Sequence, residues 1–282
     1  MSEVSSNNYL ATSLLFVPGS TPSLFIKAAA SNADEIIIDL EDAVAPEDKS
    51  AAREAISAAL SNGRLSRGAF IRINPPGTPW YADDVATAVS IAASSPGALA
   101  GIMLPKCEAA EQIEELAAQL GGGTCLIGLV ETAIGVAKLD VIAKAKNLSR
   151  LALGAVDFGA DVEADLDSAT VVAAYTALVI HSRVAGLPAP IASPPLLLND
   201  VTAVVDQARV LRGLGLGGQL CVHPRQVQPI HEGFAPTAHQ LAWARRVMST
   251  TSAATQVDGS MVDKPVRDRA ARLLRTDARR QK

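Results

Sequence analysis

The sequence predicts an α/β protein, a single (β/α)8 TIM barrel with a C-terminal helical extension. Short apolar runs recur eight times between Leu14 and Pro224, each closed by a polar residue or a Gly/Pro stop and followed by an Ala-rich helical stretch. Most of these runs are continuously apolar rather than alternating, as expected of parallel strands covered on both faces. Hydrophobic residues make up 49% of the 282 residues and aromatics only 4%. The core must therefore be built from Ala, Val, Leu and Ile, the residues that fill helix–sheet layers.

The runs, in order, are LLFVPG from Leu14, EIIIDLED from Glu35, FIRINP from Phe70, GIMLPK from Gly101, CLIGLVE from Cys125, LALGAVDF from Leu151, PAPIASP from Pro188 and GGQLCVHP from Gly217. Apolar residues at helical spacing place helices over Pro46 to Leu60, Ala109 to Leu120, Ala169 to Ala185 and Val201 to Leu214. Eight βα units imply closure. The alternative, an open doubly wound sheet, more often has fewer strands, and the first turn, PGSTPS, lacks the G-x-G-x-x-G phosphate fingerprint. The chain divides into a flexible N-terminal segment (1–13), the barrel (14–235) and an extension (236–282). The extension holds a helix from Thr237 to Met248, a loop near Asp258 and Gly259, and a basic helix from Pro265 that ends in a frayed RTDARRQK. It either packs on its own barrel or reaches a neighbouring subunit.

Charge and cysteine usage exclude several function classes. A net charge of −4 and a pI near 5.6 give no general attraction to phosphate backbones, and no basic stripe with interleaved aromatics appears, so nucleic acid is not an expected partner. Cys107, Cys125 and Cys221 lack the paired spacing of a zinc site or disulfide framework and read as reduced packing residues. The first thirteen residues carry no secretory pattern and no run approaches the length of a membrane span, so the expectation is a cytoplasmic protein without a membrane partner.

Barrel enzymes carry their chemistry at the C-terminal ends of the strands, so the polar residues that close the apolar runs are the candidates. They are Asp39, Glu41 and Asp42 after strand two, Arg72 and Asn74 in strand three, Lys106 after strand four, Glu131 at the end of strand five, Asp157 at the end of strand six and His223 at the end of strand eight. Any one of them could equally be a loop charge or a helix cap. Glu131 and Asp157, on adjacent strand ends, would point toward one axis, and two carboxylates completed by waters and substrate oxygens form the octahedral site that Mg²⁺ accepts. Neither His nor Cys accompanies them at a spacing that suggests zinc. Arg72 offers a planar fork for a carboxylate or oxyanion, or an ion pair with Asp39 or Glu41. Lys106 raises the thought of a Schiff-base nucleophile, but neighbouring carboxylates would favour its charged form, so pairing with them is the better reading. His223 is either a ligand contact or a structural residue of the rim. His181, His231 and His239 lie in helical or loop contexts and are assigned no chemistry.

In order along nearly the whole chain, LLFVPG, IIIDLEDAV, IRINPPGTPW, IMLPK, ETA, CVHPRQV and MVDKPV resemble the motifs of citrate lyase beta-subunit-like proteins. The resemblance implies a Mg²⁺-dependent barrel lyase that cleaves or forms 3-hydroxyacyl-CoA thioesters of the citryl-, malyl- or citramalyl-CoA type. It places Glu131 and Asp157 on the metal ligands and Arg72 on the substrate-binding arginine. Asp39, Glu41 and Lys106 join Arg72 and Glu131 as the candidate substrate-binding set. A late motif matching GSMVDKP places the catalytic acid/base on Asp263, a role to which composition and periodicity do not point. The family's trimers or hexamers, in which this segment covers a neighbour's active site, make a homo-oligomer the expectation. Three departures bear on the substrate: Val156 stands where the family commonly has Glu before the metal-binding Asp, Ile134 where it often has a basic residue after ETA, and Ser193, Pro194 and Pro195 where it has an acidic pattern.

The mechanism so implied is Mg²⁺-assisted cleavage of a carbon–carbon bond to a thioester enolate that Asp263 protonates, or the reverse condensation of an acyl-CoA with a 2-oxo acid. Three other readings stand beside it: an aldolase acting on free oxo acids without CoA, a citrate lyase subunit whose acyl group arrives on a carrier protein, and a barrel that binds ligand without turnover.

Overall fold

The computed structural model describes residues 10–63, 65–250, 255–257 and 260–280. Most of the expected N-terminal segment, the loop at Asp258 and Gly259, and the last two residues lie outside them. Eight parallel strands close into a barrel in sequence order. They are β1 (Ser13–Pro18), β2 (Glu35–Asp39), β3 (Ala69–Arg72), β4 (Leu99–Leu104), β5 (Cys125–Val130), β6 (Leu148–Leu153), β7 (Ile191–Ala192) and β8 (Gly218–Cys221). The helices outside them are α1 (Phe25–Ala29), α2 (Lys49–Ser61), α3 (Tyr81–Ser94), α4 (Ala110–Gln119), α5 (Ala133–Ala137), α6 (Leu139–Ile142), α7 (Ala155–Asp161), α8 (Ala169–Val184), α9 (Val201–Leu214) and α10 (Val227–Phe234). The extension adds α11 (Ala238–Ser249), an antiparallel pair β9 (Thr255–Val257) and β10 (Ser260–Val262), and α12 (Lys264–Arg280).

Alternation along each strand sorts the apolar residues into two cores. Leu14, Ile37, Phe70, Met103, Ile127, Leu129, Ala152, Ile191 and Leu220 fill the barrel interior. Their neighbours Leu15, Ile36, Ile38, Ile71, Ile102, Leu104, Leu126 and Leu151 face the helices and form the larger core. Gly101 makes room for the Phe70 ring, which a Cβ at that position would strike. Local chemistry sets the helix ends. Asp200 accepts from Ala203 N at 2.9 Å at the start of α9. Gly215, at φ +104°, ends it in the left-handed region that only glycine adopts without strain.

Two strands depart from the expected pattern. β6 begins at Leu148, three residues before its apolar run, because Arg150 is buried inside the barrel's N-terminal end, donating to Ala189 O at 2.7 Å and Ala11 O at 2.6 Å. The end of that run, AVDF, opens α7 instead, so Asp157 lies in a helix's first turn rather than at a strand end. β7 shrinks to two residues because Pro188, Pro190, Pro194 and Pro195 remove donors from a central strand. In the extension, Ala244, Val247, Val262 and Ala270 form a separate small core with Trp243, Val266, Leu273 and Leu274. The cysteines are free, and burial pushes the Cys107 and Cys221 thiols up to about 12, which suits packing residues and not nucleophiles. Among the described residues no helix is long and apolar enough to cross a membrane.

Glu35 opens the inward column of β2, and burial pushes its carboxyl up to about 7 against the attraction of Arg67. The folded state therefore prefers Glu35 protonated, and its cost to stability grows as pH rises from 4.5 toward 7. Glu35→Gln should raise Tm by about 2–4 °C at pH 8, as roughly 1 kcal/mol implies for a half-buried group, and leave it unchanged at pH 4; thermal melts at the two pH values check this.

Candidate active site

The inward columns of three strands end on polar residues. Asp39 follows Ile37 by two positions, Arg72 follows Phe70, and Glu131 follows Leu129, so each side chain points up the barrel axis from the core beneath it. Strand register sets Asp39 directly beside Arg72. The Arg72 guanidinium donates to both oxygens of Asp39, Nε to Oδ1 at 2.7 Å and Nη2 to Oδ2 at 2.6 Å, and stacks 4.8 Å from the centroid of Phe16. Its Nη1 pairs with Glu41 Oε2 at 2.8 Å and with Asp42 Oδ2 at 3.5 Å. The Glu41 contact is an ion pair without hydrogen-bond alignment, so that oxygen, though buried, accepts no hydrogen bond. Asp39 is fixed in turn by the backbone N–H groups of Glu41 and Ala43, at 2.9 and 3.1 Å.

Lys106 joins this cluster to Glu131. Its Nζ donates to Glu41 Oε1 at 3.0 Å and its backbone N–H to Glu131 Oε2 at 3.0 Å. The second bond needs the left-handed backbone that Lys106 adopts, with φ +48°. Burial alone would lower the ammonium's pKa, but the hydrogen bond and charge of Glu41 lift it above the ordinary lysine value. A Schiff-base nucleophile needs the opposite shift.

Glu131 is 2% exposed, and burial, reinforced by the charges of Glu41 and Asp157, pushes its carboxyl up to about 8. Among the described residues no Lys or Arg lies within ion-pair distance of it. A buried carboxylate that lacks a counter-ion and faces a second carboxylate in the first turn of α7 suits a divalent cation. No group of three or more His, Cys, Asp or Glu side chains gathers at metal-binding distance among the described residues. The chain thus offers Glu131 and Asp157 as a two-carboxylate set, leaving further positions to water and substrate, as hard Mg²⁺ accepts. Two residues shape this set. A Cβ on Gly154 would lie 2.5 Å from Glu131 Oε1 and 2.6 Å from its Cγ, so only glycine there leaves Glu131 its place. Ser193 Oγ donates to Leu153 O at 2.8 Å and accepts from Ala155 N at 2.5 Å, pinning the turn from which α7 and Asp157 start.

The other candidates are placed differently. Asn74 is occupied by the scaffold, donating to Asp84 Oδ2 at 2.6 Å and Leu40 O at 2.9 Å. His223 Nδ1 accepts from Arg225 N at 3.1 Å, a rim cap. Asp263 Oδ1 accepts from Val266 N at 3.2 Å at the start of α12, and no hydrogen bond or ion pair among the described residues joins it to Arg72, Glu131 or Asp157. Sequence reasoning missed Lys49, whose buried ammonium holds Leu40 O at 2.6 Å and Glu41 O at 2.9 Å beneath Trp80. Its setting in a helical, polar stretch gave no signal of burial. Beside these groups a cleft of about 650 Å³ opens between Glu41, Lys49, Asn74, Trp80, Lys106 and Gln112.

Gly154→Ala should lower Mg²⁺ affinity by about 10- to 100-fold, the usual effect of disturbing the support of a metal ligand. Titration calorimetry measures it, and an unchanged far-UV spectrum separates this loss from unfolding.

The chain is similar to several known proteins. The HpcH/HpaI aldolase/citrate lyase family model matches residues 12–224. A citrate lyase subunit beta-like protein of Mycobacterium tuberculosis is 35% identical over 271 residues, 93% of each chain. The L-malyl-CoA/beta-methylmalyl-CoA lyase of Cereibacter sphaeroides is 31% identical over 85% of this chain and 84% of its own. The citrate lyase subunit beta of Leuconostoc mesenteroides is 29% identical over 95% and 94%. The crystal structure of M. tuberculosis CitE in complex with magnesium, acetoacetate and coenzyme A superposes with a TM-score of 0.83 at 30% identity, covering 96% of this chain and 99% of that one. With a family model spanning the barrel and relatives spanning nearly the whole chain, this protein belongs to the HpcH/HpaI aldolase/citrate lyase family of carbon–carbon lyases.

Proposed function

We propose that this chain is a Mg²⁺-dependent lyase that cleaves a 3-hydroxyacyl-CoA thioester into an acyl-CoA and a 2-oxo acid, or condenses the two. The observation that carries the reading is the buried Glu131, which forms no ion pair among the described residues and lies within the field of the Arg72 guanidinium and of Asp157 at one end of the barrel. The CoA- and magnesium-bound structural neighbour and the malyl-CoA lyase relative support the substrate class.

Glu131 and Asp157 would hold Mg²⁺, which would supply Lewis-acid stabilisation of developing oxygen charge, worth several kcal/mol in general. Arg72, rigidly forked between Asp39 and Glu41, presents its remaining N–H edge to the carboxylate of the oxo-acid half. Lys106 donates to Glu41 through its ammonium, opposing the upward push of burial on that carboxyl, and holds the Glu131 oxygen through its backbone N–H, so one residue ties both halves of the pocket together. Asp263 is the acid/base that protonates or deprotonates the thioester α-carbon, a contribution of about 10²- to 10⁴-fold. No hydrogen bond or ion pair among the described residues ties it to its own chain's Arg72, Glu131 or Asp157, which favours action in trans, with the extension of one subunit covering the mouth of the next within a trimer or hexamer.

A second reading, a lyase subunit that takes its acyl group from a carrier protein, is favoured by the Leuconostoc relative, named as a citrate lyase subunit. A coupled assay of the purified chain with Mg²⁺ and malyl-, citramalyl- and citryl-CoA separates the two. The proposal expects EDTA-sensitive cleavage of a free CoA thioester, whereas turnover only after a carrier is added establishes the second reading. Asp157→Asn should lose Mg²⁺ binding and activity together. Mixing inactive Asp157→Asn and Asp263→Ala subunits after dissociation and reassembly should restore a fraction of activity, because some mouths then receive an intact pair from two chains. No recovery places Asp263 on its own subunit's site or outside the reaction.

A further inference from the structure

The place of Asp157 relative to Glu131 depends on the turn that joins β6 to α7. Asp157 is the third residue of α7, so it goes wherever the first turn of that helix is held. On the β5 side the turn is tied by a backbone bond, Gly154 N to Val130 O at 2.9 Å, one residue before Glu131. On the other side the sheet supplies little, because β6 and β7 share one register pair, Ala152 with Ile191. The residue before α7 is glycine, which has no side chain to meet the helix's first N–H groups.

Ser193, directly after β7, takes over both tasks. Its Oγ accepts from Ala155 N, the first N–H of α7, at 2.5 Å and donates to Leu153 O, the last carbonyl of β6, at 2.8 Å. One hydroxyl thus brackets Gly154 from both sides. Ser193 is 6% exposed, and its backbone is committed as well: its N–H donates to Tyr175 Oη at 3.2 Å and its carbonyl accepts from Gln219 Nε2 at 3.1 Å. Tyr175 reaches it from the buried face of α8, and Gln219 from β8. The residue is therefore bonded to β6, α7, α8 and β8 at once, and turning its hydroxyl away would leave buried groups of the turn unpaired.

Two carboxylates serve one cation only while they keep their separation, and the groups that support a ligand govern affinity together with the ligand itself. Resting on the lyase reading above, in which Glu131 and Asp157 hold Mg²⁺, we propose that Ser193, itself set by Tyr175, is a positioning residue for Asp157 and fixes the affinity of the site for the divalent cation. It acts through the first turn of α7 and not as a ligand.

The test uses the full chain with Mg²⁺ alone as the probe. Titration calorimetry of Ser193→Ala should show Mg²⁺ affinity about 10- to 100-fold below that of the unmodified chain, with an unchanged far-UV spectrum. Tyr175→Phe keeps the ring in the core and removes only the acceptor of the Ser193 N–H, and it should show a smaller loss. The double variant should lose no more than Ser193→Ala, because without the hydroxyl nothing carries the position of residue 193 to α7. In the lyase assay, Mg²⁺ raised until it saturates Ser193→Ala should restore kcat and leave the KM for the acyl-CoA where it was. Unchanged Mg²⁺ affinity in Ser193→Ala, with only Tm lowered, overturns the inference and leaves the lyase reading standing. Additive losses in the double variant also overturn it, by showing that Tyr175 reaches the site another way. If Ser193→Ala does not fold, Tyr175→Phe decides: a lower affinity supports the inference and an unchanged one overturns it. An unmodified chain that binds no Mg²⁺ overturns the metal pair, and this inference with it.

Discussion

The two-point bond between Arg72 and Asp39 is the constraint on which the mouth of the barrel depends. A guanidinium buried at the end of a strand can stay charged only against carboxylates, and a carboxylate buried beside it can stay ionised only against the guanidinium. Parallel pairing of β2 and β3 puts the two in register, so their geometry is set by the sheet rather than by a loop. From this pair the order propagates outward: Asp39 ties down the turn after β2, Glu41 is brought to Nη1, Lys106 is brought to Glu41, and the backbone of Lys106 reaches Glu131. The chain of contacts runs across four strand ends, those of β2, β3, β4 and β5, without leaving the protein.

The same cluster explains why carboxylates outnumber cations at this end. Asp39, Glu41, Asp42, Glu131 and Asp157 share the charges of Arg72 and Lys106, and Glu131, farthest along the chain of contacts, is the one whose carboxyl rises to about 8. In a folded chain such an imbalance is sustained by a bound cation or by protons. The family to which the chain belongs gives this imbalance a chemical purpose, because a reaction that makes oxygen charge beside a carbonyl needs a concentrated positive centre and a scaffold that tolerates it.

How much of this is legible in the sequence follows from periodicity. Asp39, Arg72 and Glu131 are the polar residues that close or follow buried apolar runs, so their gathering at one end of a parallel barrel could be read from their positions at the strand ends. Asp157 is displaced into α7 because the run that appeared to be strand six mixes strand and helix, and Gly154 marks the change. The φ of Lys106 and the burial of Arg150 and Lys49 come from tertiary contacts and leave no mark on a local window. Asp263 was pointed to only by a resemblance of motifs, since nothing in an isolated helical extension indicates which surface its first turn meets. The truncation of β7 could have been read from its prolines, whose missing N–H groups forbid a long central strand.

That truncation has a mechanical consequence. β6 and β7 share a single register pair, Ala152 with Ile191, and β7 and β8 share two, while β1 and β2 share five. A closed barrel with one sparsely bonded seam opens first along that seam, through local excursions that leave the other ladders intact. The seam runs beside the turn to α7. The compliant arc of the wall is therefore the one from which α7 and Asp157 start, while the Arg72–Asp39 arc, bonded on both sides, stays stiff.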